Sequence, residues 1–350
     1  MAATGMFKTS DASAAWRIQE WMTGALSWLQ KDPTVQTELR KRTKVGDPAR
    51  KKAAQTSLPL NYGNRRPTAV TGRLRYASFV SRQHRIVYVE APKAACTALK
   101  WILATIDGQD VSSAPYPRQT SLEMCIHFRD CHPLPSLHDF PESDIHEIMR
   151  CYRKVCVVRN PYTRLVSAWA NKIRLREPGF GKVCQAICAH AGAPANSPIT
   201  FKAFALWVVE TNDPVICNAH WRPQRELLYP DIIDYTDVLK LESLAADLQR
   251  LFNVVPSLRN YKAETLLSEV YRNKSLPVNY GALYDQELAM RISDFYADDF
   301  DTYGYDRDSW EQLADRGAPS WEEMETAALS AIQQRNNLIE LLSKENRPLS

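Results

Sequence analysis

The feature that most constrains the fold of this chain is a short apolar run that ends abruptly in a turn of small residues. Residues 86–89 (Ile-Val-Tyr-Val) follow one another without a polar interruption, as in a strand buried in a parallel sheet. Pro92 cannot continue a strand ladder, and the alanines after it keep the turn small enough for a ligand to approach the backbone. Apolar residues at helical spacing then predict a helix over residues 97–105.

A strand, a lysine-bearing turn and a helix start together predict an anion-binding site. The first turn of a helix has unpaired N–H groups and a partial positive charge, and Lys93 adds a mobile full charge. Such a turn suits a phosphate group and therefore points to a nucleotide-type ligand.

A second segment repeats this arrangement. A buried strand over 154–158 ends at Arg159, and Pro161 opens a helix that we expect to run through Ile173. The guanidinium group of Arg159 and the hydroxyl group of Ser167 could converge on one anion. Either residue alone reads more simply as structural, a strand-end ion pair or an ordinary helix serine, but two such segments together favour a site. Arg164 is expected to face solvent or the sheet edge.

Composition narrows the class of protein. With 350 residues, 45% of them hydrophobic and 24% charged, the chain has material for one large domain or two small ones. The net charge of +4 is too small to suggest general nucleic-acid binding, and the basic run over 40–52 reads as a solvated linker. No apolar stretch has the length of a transmembrane helix and no secretory signal is evident, so we expect no integral membrane segment, a cytoplasmic location and reduced cysteines.

We expect three regions: an accessory N-terminal region with a basic linker (1–75), the main domain (76–310) and a C-terminal helical extension (311–350). Segments 61–72 and 179–198 look turn-rich, 107–140 reads as a long functional loop, and 232–241 as two strand fragments. Strands that alternate with helices favour a parallel sheet flanked by helices on both faces. Cys184, Cys188 and His190 have no second ligand pair after them, so no metal site is predicted.

Two motifs carry a family resemblance: PKAACTAL at 92–99 and VVRNPYTRLVSAW at 157–169 resemble the two cofactor signatures of sulfotransferases that use 3′-phosphoadenylyl sulfate (PAPS). The HWRPQ segment at 220–224 and YADDFDTYGY at 296–305 resemble two further blocks of the carbohydrate sulfotransferases, sulfotransferase family 2, the branch with the chondroitin and dermatan enzymes. The resemblance covers roughly residues 75–307.

The resemblance implies a P-loop nucleotide-kinase-like α/β fold and sulfuryl transfer from PAPS to a carbohydrate or glycoconjugate hydroxyl, with release of PAP and no metal. Lys93 would stabilise the leaving group, and Arg159 and Ser167 would hold the 3′-phosphate group. The first signature would hold the 5′-phosphosulfate with the following residues: Pro92, Lys93, Ala94, Ala95, Cys96, Thr97 and Ala98.

A base must take the proton of the acceptor hydroxyl, and histidine is the natural candidate. His127 and His132 lie in the long loop where sulfotransferases commonly place a catalytic histidine, and His220 lies beside an aromatic residue. Glu90 is a weaker candidate. Three residues could line the acceptor side: Trp221, Arg222 and Arg225. For Trp221, packing in the core is an equal alternative.

Other interpretations remain open from the sequence. The acceptor could be a small molecule or a protein, or the chain could be a catalytically silent PAP-binding scaffold. A homo-oligomer formed through the terminal helices is a further alternative. A nucleotide kinase is the least favoured, because no G-x-x-x-x-G-K-[ST] motif is present.

Overall fold

A computed structural model of the chain describes residues 67–109, 134–177, 179–269 and 278–313, with isolated positions between 320 and 332. Within these ranges the strands form one sheet in the order β1-β2-β3-β4. The strands are β1 Ser78–Ser81, β2 Ile86–Val89, β3 Arg153–Val158 and β4 Asp237–Lys240. The last three are parallel, whereas β1 pairs antiparallel with β2 at the edge. The expected α/β class is confirmed, with a mixed rather than a purely parallel sheet.

The sheet register brings the ends of β2 and β3 together. Tyr88 pairs with Val155 and Val89 with Cys156, and all of these side chains are buried, as their unbroken apolar runs predict. Parallel strands end at the same edge of a sheet, so the turn after β2 and the turn after β3 are neighbours. The two segments that the sequence singles out therefore meet at one place in the fold.

Helices follow most of the strands and flank the sheet. The helices of the described residues are α1 Pro67–Ala77, α2 Cys96–Ile106, α3 Glu142–Cys151, α4 Pro161–Ala168, α5 Gly181–His190, α6 Phe201–Thr211, α7 Arg225–Leu228, α8 Leu244–Val254, α9 Ala263–Glu269, α10 Gln286–Phe295 and α11 Ala297–Tyr303. The end of α4 continues as a π-helical turn, Trp169–Ile173. No helix in these residues is long and apolar enough to cross a membrane.

The apolar side chains form two clusters that meet between β3 and α4. The first surrounds the sheet and includes Val158 at the end of β3. The second lies among α4, α5, α6 and α10, and includes Tyr162 in the first turn of α4. Residues between Val158 and Tyr162 thus connect the two clusters of packed side chains. This position suits a site whose parts must be held accurately.

Two segments whose sequences look turn-rich contain helices. Helix α1 occupies residues 67–72 of the segment 61–72, because Val70 and Leu74 pack into the sheet cluster. The domain boundary expected at residue 75 stays a prediction. Helix α5 occupies the first half of the segment expected to be turns at 179–198, whereas residues 191–198 form turns as expected. The buried Cys184, Ile187 and Cys188 of α5 lie at helical spacing, a pattern that glycine and proline at the two ends of the segment obscured.

The strand predictions also need correction. Strand β1 precedes the strand expected to come first in the domain. Of the two fragments expected at 232–241, only Asp237–Lys240 is a strand. The earlier part forms a turn instead, in which Tyr229 is left-handed (φ 52°) and its carbonyl oxygen accepts from the N–H groups of Ile232 and Ile233. Most of the regions 1–75 and 311–350 lies outside the described residues, and of the C-terminal helix expected at 321–343 only residues 324, 325, 328 and 332 are described, all of them helical.

Candidate anion-binding site at the ends of β2 and β3

The turn between β2 and α2 is built from non-glycine residues in left-handed conformations. Lys93 has φ 71° and Ala95 has φ 56°. Residues other than glycine rarely adopt such positive φ angles. The N–H group of Ala94 donates to the carbonyl oxygen of Ala91 (3.2 Å), and Ala95 is the N-cap residue of α2. Conformations of this kind persist where the surrounding structure holds them, commonly at functional sites. The turn delivers the chain directly to a helix N-terminus, which favours anions.

Lys93 is half-buried in an environment with excess positive charge. Burial, and after it the nearby ammonium group of Lys172, lower the pKa of Lys93 to about 7, while Glu177 acts in the opposite direction. Bound phosphate would favour the charged lysine again. The electrostatics therefore fit an anion site at this turn.

Glu90, the weaker base candidate, is held by other residues. Its carboxylate pairs with Lys100 at 2.8 Å, and its carbonyl oxygen accepts from Nη2 of Arg73 at 2.7 Å. The ammonium group of Lys100 is buried and also lies 4.6 Å from the ring centroid of Phe79. This pair fastens the end of β2 to α2, a structural task for both residues.

Arg159 joins the two turns. Its Nη1 donates to the carbonyl oxygen of Lys93 at 3.2 Å, Nε donates to the hydroxyl group of Thr163 at 2.9 Å, and Nη2 lies 3.4 Å from the hydroxyl group of Tyr280. Asn160 then caps α4 by accepting from the N–H group of Tyr162 at 3.0 Å. The structure thus brings together the two halves of the predicted site.

The other predicted ligands of the two turns lie on α2 and α4. The side chains of Thr97 and Ala98 are buried in the first turn of α2, and Cys96 is half-buried beside them. Burial raises the pKa of the Cys96 thiol, so this group is held as the neutral thiol. Ser167 is buried on α4. Its convergence with Arg159 on one anion stays a prediction.

Arg164 does not face solvent or the sheet edge as expected. It is 1% exposed and its three nitrogens donate to the carbonyl oxygens of Pro92 (3.0 Å), Arg222 (2.8 Å) and Ala219 (3.1 Å). It therefore ties the lysine-bearing turn to the loop that carries His220. Nearly all side chains of α4 are buried, and its sequence gives no separate signal for this role of Arg164.

His220 is the one candidate histidine that the described residues include. Its Nδ1 lies 2.8 Å from Oδ1 of Asn218, which also accepts from the N–H group of His220 at 3.0 Å. Because Oδ1 is an acceptor, this contact favours the tautomer with the proton on Nδ1 and a basic lone pair on Nε2. The ring of Phe180 packs edge-on against the imidazole at 5.5 Å. His127 and His132 lie outside the described residues.

The residues expected along the acceptor side after His220 contact other protein groups. Trp221 is buried among Phe204 and Trp207, and its indole nitrogen donates to Oδ1 of Asn212 at 3.1 Å. This is core packing, the alternative that the sequence left open. Nε of Arg222 donates to the carbonyl oxygen of Cys217 at 2.7 Å, and Nη2 to that of Ile216 at 3.0 Å. Arg225 lies 3.7 Å from both Glu226 and Asp298.

A cluster that the sequence did not single out lies near Lys93. Lys172, on the π-helical turn, pairs with Glu177 at 2.5 Å, and its ammonium group lies 5.8 Å from the ring centroid of Phe180. Phe180 in turn contacts His220, and the charges of Lys172 and Glu177 act on Lys93, so the cluster neighbours both the lysine turn and the candidate base. A π-helical turn often occurs at functional sites, but it leaves little sequence signal.

Metal ligation finds no support in the part of the chain that the structure describes. No group of three or more histidine, cysteine, aspartate or glutamate residues there could hold a metal ion. Cys184 and Cys188 are buried in the second apolar cluster, and His190 lies 2.8 Å from Glu210.

The chain is similar in sequence to known proteins. The chain matches the sulfotransferase family over residues 76–306. It is 26% identical to human carbohydrate sulfotransferase 8 over 270 residues, 74% of this chain and 62% of the relative. It is 29% identical to human carbohydrate sulfotransferase 14 over 253 residues, 69% of this chain and 62% of the relative.

A third relative gives the same picture. Carbohydrate sulfotransferase 10 of Xenopus laevis is 26% identical over 249 residues, 65% of this chain and 66% of that protein. The chain spans about three fifths of the length of the two human relatives. No solved structure matches the chain significantly.

Proposed function

The chain belongs to the sulfotransferase family, and from this premise we propose that it transfers the sulfuryl group of PAPS to a hydroxyl group of a carbohydrate. The hydrogen bond from Arg159 to the carbonyl oxygen of Lys93 carries the proposal, because it joins the lysine turn to the arginine turn. A nucleotide with phosphate groups at both the 3′ and 5′ positions needs two cationic anchors of this kind close together. The names of the relatives support a carbohydrate as the acceptor class.

On the donor side the protein stabilises charge and forms no covalent bond to the substrate. The acceptor oxygen attacks sulfur while the bond from sulfur to the bridging oxygen breaks, and negative charge then grows on departing PAP. Lys93 and the N–H groups at the start of α2 are suited to stabilise that charge. Arg159 and Ser167 would hold the 3′-phosphate group, and no metal is required by this arrangement.

The acceptor side needs a base for the hydroxyl proton. His220 is suited to this task because its contact with Asn218 favours a basic Nε2, and the ring of Phe180 beside it offers a flat apolar surface. His127 and His132 stay candidates from the sequence. Trp221 is not among the acceptor contacts that we propose, and the guanidinium group of Arg222 is engaged with loop carbonyls.

Nucleotide binding by Arg159→Ala tests the donor side. The variant should bind PAP roughly 10- to 100-fold more weakly, since a lost charge-assisted bond costs about 1.5–3 kcal/mol, and 5′-AMP should lose far less. Isothermal titration calorimetry measures both. Arg153→Ala is the matched control, because Arg153 pairs with Asp237 at the other end of β3. Equal losses for PAP and 5′-AMP in Arg159→Ala would contradict the contact with the 3′-phosphate group.

An acceptor screen tests the second half of the proposal. Labelled PAPS is offered with oligosaccharides, tyrosine peptides and small phenols, and label should pass to the oligosaccharides. Transfer to a peptide or a phenol instead would replace the acceptor class, and PAP binding without any transfer would favour the silent scaffold. The cytoplasmic location stays a prediction from the sequence, which cell fractionation checks.

A further inference from the structure

A buried glutamine fixes the backbone of Arg159 at the end of β3. Oε1 of Gln224 accepts from the N–H group of Arg159 at 2.9 Å, and Nε2 donates to the carbonyl oxygen of the same residue at 2.8 Å. Gln224 has no exposed surface. Its carboxamide takes the place of a peptide group from a neighbouring strand, at the point where β3 has ended.

Asp299 on α11 anchors the glutamine. Its Oδ2 accepts from the backbone N–H group of Gln224 at 2.7 Å and from Nε2 at 3.3 Å, and its Oδ1 accepts from the N–H group of Arg225 at 2.8 Å. Burial raises the pKa of Asp299, while the guanidinium group of Arg164 and these N–H donors act against the rise. A displaced Gln224 would leave buried donors and acceptors unpaired, which is costly.

We propose that Gln224 is a positioning residue for recognition of the 3′-phosphate group: anchored by Asp299, its carboxamide holds Arg159 so that the guanidinium group stays beside the carbonyl oxygen of Lys93. The inference rests on the proposed function, because Arg159 is the residue assigned there to the 3′-phosphate. Gln224 itself is engaged with protein groups and acts through Arg159.

Only a carboxamide meets the requirements of this position. Gln224 provides one acceptor, for the N–H group of Arg159, and two donors, for the carbonyl oxygen of Arg159 and the carboxylate of Asp299. Glutamate at 224 would keep the acceptor but set its other oxygen against that carbonyl and that carboxylate. Methionine would keep the approximate shape and lose all three hydrogen bonds.

The test measures the ratio of the dissociation constants of 5′-AMP and PAP in the full chain. Wild type should prefer PAP, and Gln224→Met should lower the ratio at least tenfold, with Gln224→Glu as a second variant of nearly the same shape. In an Arg159→Ala background Gln224→Met should change the ratio little, because both changes remove the same interaction. Ratios are measured below the unfolding midpoint of each variant.

Gln249→Met is the matched control. Oε1 of Gln249 also accepts a backbone hydrogen bond, from the N–H group of Ala263 at 3.0 Å, but Gln249 lies on α8 and does not contact Arg159 through this bond. The substitution should lower the unfolding midpoint and leave the ratio unchanged. A wild-type ratio in folded Gln224→Met or Gln224→Glu overturns the inference alone. Failure of wild type to prefer PAP would instead overturn the proposed function on which it rests.

Discussion

Lys93 is the residue on which the proposed chemistry depends, and its backbone and side chain are both unusual. Its left-handed conformation (φ 71°) turns the chain toward α2, and its carbonyl oxygen is fixed by Arg159. The pKa of Lys93 falls to about 7 because burial and Lys172 disfavour the charged form. Ligand-free protein at neutral pH therefore carries only part of this charge, and a phosphate ligand should restore it.

The lowered pKa of Lys93 predicts that nucleotide binding takes up a proton. Since the unfolded chain binds more protons than the ligand-free native state between about pH 7 and the ordinary lysine value of 10.5, Lys93 makes stability rise with pH in that window. PAP reverses the effect, because it favours the charged lysine, so binding should take up close to one proton at pH 8. Calorimetry in buffers of different ionisation enthalpy measures this uptake. It should vanish in Lys93→Met; uptake that persists there would assign it to another group.

The sequence singles out Lys93 and Arg159, but it does not reveal the contacts that Arg164 and Gln224 make with backbone groups. Lys93 and Arg159 stand out because each follows a buried strand and precedes a helix. Arg164 and Gln224 bond to carbonyl and N–H groups far away in the chain, and only the folded backbone shows where those groups lie. From its side-chain type, Arg164 was therefore expected to face solvent or the sheet edge, and Gln224 drew no expectation at all.

At the level of elements, the start of α2 depends on Ala95. This N-cap residue has φ 56°, makes no side-chain cap, and its carbonyl oxygen accepts from the N–H group of Leu99 at 3.0 Å. The sequence predicted the helix to within a residue at each end but not this conformation, since alanine is a poor residue for it. The neighbouring contacts of Lys93 and Ala94 hold the turn in place.

Substitution of Ala95 tests this account of the turn. Ala95→Gly should fold normally with stability within about 1 kcal/mol of wild type, because glycine adopts the left-handed region freely but costs more entropy on folding. Ala95→Val should lose roughly 1–2 kcal/mol, since a β-branched residue is strained there. Urea unfolding followed by circular dichroism measures both. A valine variant as stable as the glycine variant would be inconsistent with a left-handed Ala95.

On the scale of the whole molecule, the site lies where two apolar clusters meet. The sheet cluster holds β2 and β3, the helical cluster holds α4, and Arg159 follows directly after the first and precedes the second. Alternating strands and helices predicted this α/β arrangement, but not the antiparallel β1 or the helix α5. Both corrections arise from burial against neighbours that local sequence patterns do not reveal.

Substitutions of Trp221 distinguish a role in packing of the helical cluster from a role in ligand contact. Trp221→Ala should lose about 3–5 kcal/mol of unfolding free energy because the indole is fully buried among aromatic rings. Trp221→Phe should lose less. The ratio of the dissociation constants of 5′-AMP and PAP should stay near the wild-type value in the phenylalanine variant. Unchanged stability of Trp221→Ala would refute core packing.

The central claim is that this chain uses Lys93 to release PAP during sulfuryl transfer. The most direct measurement is transfer of labelled sulfuryl from PAPS to an oligosaccharide by wild type, Lys93→Ala and Lys182→Ala, where Lys182 is an exposed lysine on α5 that matches the charge change. We predict that Lys93→Ala lowers the rate by roughly 10²–10³, as for loss of one stabilising group in a transition state, and that Lys182→Ala keeps the wild-type rate. Full transfer by Lys93→Ala would contradict the account.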